Sequence, residues 1–122
     1  MKQKIETFTA YLENSVTRCA EQEKALIADE RKDEAIFEKI RANVYNIYRT
    51  VFGVAVQNCG EDADKVREFF MKQINHIPVS WRASHEAAKQ HNDATKAQIE
   101  EIKLAIVQEI KTEFTKIWEG NP

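Results

Sequence analysis

Long apolar stripes at helical spacing and a scarcity of helix breakers predict an all-α fold. The expected architecture is an elongated antiparallel helical bundle of three long helices plus one short helix, with up-and-down connections. The 122-residue chain holds only 3 glycines and 2 prolines. It is rich in Glu, Lys, Ala, Ile and Gln, which favour helix. The length suits one domain over residues 1–122.

The first helix is predicted over about residues 2–28. Ile5, Phe8, Leu12, Val16, Cys19 and Leu26 recur at helical spacing and form a narrow seam, which Glu23 weakens. Residues 29–34, Asp-Glu-Arg-Lys-Asp-Glu, carry no apolar side chain. A tight turn is expected there, because one continuous rod would leave two apolar stripes unsupported.

The second helix is predicted over about residues 33–58. At 100° per residue its apolar side chains cover an arc of about 200°. Ile36, Ile40, Val44, Ile47, Val51 and Val54 make one flank; Phe37, Tyr45, Tyr48, Phe52 and Ala55 make the other. So wide an arc calls for neighbours on more than one side, which makes this the central helix. Gly60 suits its C-terminal end. Gly53 falls outside the arc, as a mark of close packing or a weak point.

The third, short helix is expected over about residues 62–77, with Asp62 as N-cap and Pro78 as its stop. The fourth is expected over about residues 81–119 after an N-cap at Ser80, and would span about 60 Å. Ile99, Ile102, Ile106, Ile110, Phe114 and Ile117 make its second half apolar. On the same face, the first half carries Trp81, Ser84, His85, Ala88, Asn92 and Thr95.

Composition narrows the function classes. Net charge is −2 with the signs interleaved, so no basic block marks a nucleic-acid or polybasic membrane footprint. The longest apolar run, Val51 to Val56, is interrupted by Gly53 and is far short of the roughly 20 residues a membrane helix needs. The start lacks the apolar region of a signal peptide. Cys19 and Cys59 fit two free thiols. These features lead to the expectation of a soluble, cytoplasmic protein with no membrane or nucleic-acid partner.

Catalytic and metal patterns do not form. No Glu-x-x-His occurs at His76, His85 or His91, and residue 89 is Lys, so His85-Glu86 does not extend to His-Glu-x-x-His. Ser84-His85-Glu86 are sequence neighbours whose side chains fan around a helix, which prevents a triad among them. Glu100-Glu101 and Glu21/Glu23 are expected on solvated faces. No glycine-rich phosphate loop exists, and no cofactor or metal is expected.

Two groups remain. Arg41 falls inside the apolar arc of the second helix with Tyr45, Tyr48 and Phe52 following it, as a snorkelling arginine or as a partner- or anion-binding patch. Ser84, His85, Asn92 and Thr95 form the second group, expected to line a polar cleft. The function expected is a non-enzymatic helical interaction or scaffold protein, acting as a homodimer or through another protein. The alternative is a small-molecule-binding bundle, or an enzyme with a dispersed site, in a cleft between the second and fourth helices.

Overall fold

A computed structural model describes residues 1–120; Asn121 and Pro122 lie outside the described residues. Five helices follow one another: α1 (Lys2–Ala28), α2 (Lys32–Cys59), α3 (Ala63–His76), α4 (Val79–Gln90) and α5 (Ala94–Glu119). The described residues contain no strand, and the fold is an all-α bundle. The expected three long helices and one short helix are α1, α2, α5 and α3. The twelve-residue α4 is split off from the start of the last helix.

The α1–α2 reversal uses the polar run as a tight turn. Glu30 takes a left-handed φ of 60°. The Arg31 N–H donates to the Leu26 carbonyl at 2.8 Å, and that of Glu30 to Ile27 at 3.0 Å. This Schellman pattern satisfies two terminal carbonyls of α1. At the end of α2, Gly60 sits at φ 62° and ψ −133°, which L side chains rarely adopt. The expected N-cap of α3 is present: the Asp62 carboxylate accepts from the backbone N–H of Asp64 at 3.1 Å and of Lys65 at 3.2 Å.

The expectation of one helix over residues 81–119 is corrected, because the chain reverses at residues 91–93. Asn92 takes a left-handed φ of 57°. The N–H of Asp93 donates to the Ala88 carbonyl at 2.8 Å, and the Asp93 carboxylate accepts from the Lys96 N–H at 3.1 Å. One residue therefore closes α4 and caps α5. Ser80 is likewise not an N-cap; it lies in the first turn of α4, behind Pro78.

Pro78 bends the chain without reversing it. Ile77 and Pro78 both keep right-handed helical geometry. Helical bonding ends on one side with Ile77 N–H to Gln73 and restarts on the other with Arg82 N–H to Pro78. A residue before proline usually avoids this conformation. Here Pro78 is fully buried and Ile77 packs on the core, so burial prevails. The α3–α4 pair acts as one bent arm running antiparallel to α5. The Trp118 indole donates to the Ala63 carbonyl at 3.1 Å at one end, and His85 meets Glu101 nearer the other.

An aromatic cluster locks these arms together. Phe8 of α1 meets Phe52 of α2, Phe70 of α3 and Phe114 of α5 edge-on, with centroids 4.8, 5.3 and 5.1 Å away. Phe114 stacks on Trp118 at 4.8 Å. Each such pair adds about 0.5–1.5 kcal/mol beyond area burial. The cluster lies at the end where α3 closes the bundle. At the other end α4 packs chiefly on α5.

The wide arc of α2 is only partly covered. Tyr45, Tyr48, Phe52 and Ala55 of one flank are buried, as is Val44 of the other. On that other flank Ile36, Ile47 and Val54 are 53%, 38% and 39% exposed. Gly53 is exposed, and a Cβ there would meet nothing within 4 Å, so it does not mark close packing.

Candidate functional site

The Arg41, Tyr45, Tyr48 and Phe52 group does not form an exposed patch, because three of its four members point into the bundle. Phe52 belongs to the aromatic core, and Tyr45 and Tyr48 are buried. Arg41 alone stays at the edge, where its guanidinium donates to Glu38 Oε1 at 2.7 Å one turn away.

Tyr45 belongs instead to a clasp joining three helices. Its hydroxyl donates to Glu109 Oε2 on α5, and Tyr11 on α1 donates to the same oxygen at 2.7 Å. Arg18 reaches the Tyr45 hydroxyl at 3.5 Å. Burial first, then the bonds to the Glu109 carboxylate, push both phenols well above the usual tyrosine value. They stay neutral donors, which suits a structural clasp. Burial also raises Tyr48, against an opposing pull from the Arg82 guanidinium. The Tyr48 hydroxyl is fully enclosed and finds no hydrogen-bond partner among the described residues.

The expected polar cleft of Ser84, His85, Asn92 and Thr95 is divided by the break at residues 91–93. Ser84 and His85 are half-buried on α4, and His85 Nε2 lies 3.1 Å from Glu101 Oε1. Asn92 is the left-handed residue of the reversal, and Thr95 is exposed in the first turn of α5. A shallow hollow of about 350 Å³ at this tip includes Asn92 and neighbouring alanines, but neither Ser84 nor His85.

Glu100 corrects another expectation, since it is buried while Glu101 is exposed. It continues the inner stripe of Val107, Ile110, Phe114 and Trp118. Lys103 Nζ donates to its Oε1 at 3.2 Å and sits 5.3 Å from the Trp81 ring centroid. Its Oε2 is enclosed without a partner among the described residues. Periodicity could have revealed this position, because residues 100, 103, 107, 110 and 114 share one helix face.

Cys19 is not set up as a nucleophile. Cys19 is buried, and desolvation together with Glu38 pushes its pKa up to about 11. Cys59 is half-buried at the end of α2. Among the described residues no group of three or more His, Cys, Asp and Glu side chains is placed to hold a metal ion. No described helix is long and apolar enough to cross a membrane.

The outer face of α2 is an unusual surface. Ile36, Ile40, Asn43, Ile47, Thr50, Val51, Val54 and Asn58 project within about 60° of a common line along the helix. None is charged, in a chain where charged residues make up 31%. The face runs about 33 Å.

The molecule so defined is a helical bundle with a clasped aromatic core and one uncharged helix face left open. Compared with known protein families, curated proteins and solved structures, the chain matches none.

Proposed function

We propose that this protein is a non-enzymatic helical interaction module that pairs with a second copy of itself through the outer face of α2. The supporting observation is the exposure of Ile36, Ile47 and Val54 along one uncharged line. Burying such a row against another apolar helix is favourable, and an exposed apolar strip of this length marks an association site.

Its spacing favours a second copy over an unrelated helix. About a two-fold axis at Ile47, antiparallel pairing sets Ile40 opposite Val54, Asn43 opposite Val51 and Ile36 opposite Asn58. Ile47 then meets its own counterpart. Apolar contact is therefore concentrated at Ile47 and the Ile40–Val54 pairs about the axis, as a two-fold interface permits. Specific interfaces bury about 1,200 Å² or more in total. A single helix face reaches only the low end of that range, so a reversible dimer is expected.

Sedimentation equilibrium over a wide concentration range tests this reading. Wild type is expected to shift from monomer to dimer with concentration. Ile47→Glu, which sets two carboxylates together at the axis, is expected to remain monomeric with unchanged helicity. A wild-type monomer at every concentration, or an Ile47→Glu variant that dimerises equally well, refutes it.

A further inference from the structure

A second surface feature lies away from the outer face of α2. Ile74 and Asn75 of α3, Arg82 of α4, and Leu104, Val107, Gln108 and Lys111 of α5 enclose a groove of about 270 Å³. It sits where the α3–α4 arm bends at Pro78.

The lining has a clear division of labour. Ile74 and Val107 are buried, and with the half-buried Leu104 they make an apolar floor. Arg82 and Lys111 bring two positive charges from different helices. Asn75 and Gln108 add amide donors. No acidic side chain lines the groove. Neither Arg82 nor Lys111 makes an ion pair among the described residues, although acidic side chains pair with Arg31, Arg41, Arg67 and Lys103 elsewhere.

Tyr48 of α2 lies outside the groove lining. Its hydroxyl is fully enclosed and unpartnered, a costly state for a buried donor. Arg82 is the charged group that acts on it electrostatically.

We propose that this groove binds a small organic anion, its charged group held between Arg82 and Lys111 and its apolar body laid on Ile74, Leu104 and Val107. At about 270 Å³ the groove falls just below the usual range of ligand sites, about 300–1,000 Å³. It admits an aryl or short acyl carboxylate more readily than a nucleotide. The guanidinium offers a planar fork to a carboxylate, and the flexible lysine closes from the opposite wall.

Benzoate is a suitable probe, with benzyl alcohol as its neutral counterpart. Amide NMR titration of the full chain reads the site directly, because the Asn75 and Gln108 side-chain NH₂ groups stand in the groove. Benzoate is expected to shift both saturably, and benzyl alcohol at equal concentration to leave them in place. Arg82→Gln with Lys111→Gln is expected to weaken binding at least tenfold, and Ile47→Glu to leave it unchanged. Melting curves and backbone spectra confirm that the double variant stays folded; if it does not, each single variant is expected to weaken binding severalfold. The proposal is overturned if the two amides do not respond, if the alcohol shifts them equally, or if the folded variants bind like wild type.

Discussion

Replacing Glu100 with methionine is expected to stabilise the bundle. The Glu100 side chain is 6% exposed, and among the described residues only Lys103 partners it, at 3.2 Å to Oε1. An enclosed acceptor without a partner costs about 1–3 kcal/mol, more when charged. Removing it recovers that cost, and the methionine thioether fills similar space. The opposing term is the loss of the Lys103 partner. That ammonium is 26% exposed and near the Trp81 ring, so it keeps solvent and the ring as alternatives. Discounting the lost pair by about 1 kcal/mol leaves a net gain of up to about 2 kcal/mol. For a chain of this size that raises Tm by up to roughly 10 °C. Urea unfolding measures it, provided the slope with denaturant is unchanged. Glu100→Gln keeps an acceptor for Lys103 and is expected to fall between wild type and methionine. A methionine variant destabilised by more than about 1 kcal/mol refutes the reasoning, because it requires a strong unseen partner for Oε2.

Other substitutions and conditions have defined outcomes. Gly53→Ala gains about 0.5–1 kcal/mol in thermal unfolding, since the site is helical, open and exposed. Glu30→Gly gains about 1 kcal/mol by relieving a left-handed non-glycine residue, while Asn92→Val loses a similar amount at the other reversal. All three tyrosines have folded-state values raised above 10.0. The native state therefore holds protons that the unfolded chain releases, and stability complete below pH 10 falls as pH rises beyond it. Phenolate absorbance is expected to rise together with the loss of helical circular dichroism; ionisation near pH 10 with intact helicity contradicts this. Iodoacetamide is expected to label Cys59 well before Cys19, whose buried thiol has its pKa pushed up to about 11.

The bundle was legible in the sequence where local chemistry and periodicity agreed. Asp62 followed by an apolar stripe marked the start of α3, and the uncapped polar run at residues 29–34 marked the first reversal. The second reversal was obscured by Pro78, which is a stronger breaker than Asn92 in isolation. Its signal was the absence of any large apolar residue between Trp81 and Ile99, with Asn92 and Asp93 at the centre. Burial of Pro78 and packing of Ile77 on the core are tertiary effects, invisible to spacing rules. Periodicity also located the wide arc of α2 but could not say which flank a neighbour would cover. Hence Tyr45 and Tyr48 seemed available beside Arg41, whereas the partners that enclose them come from α1, α3 and α5. Glu100 was misplaced because a paired Glu-Glu resembles a solvated face, though its register matches Val107 and Phe114.

Self-association through α2 is tested most directly by a cysteine at the proposed axis. In a Cys59→Ser background, with Cys19 buried, Ile47→Cys brings two thiols together if the faces pair about that residue. Mild oxidation is then expected to yield a disulfide-linked dimer rapidly, while a cysteine at exposed Thr17 on α1 yields little. Equal, slow crosslinking at both positions would contradict pairing through α2.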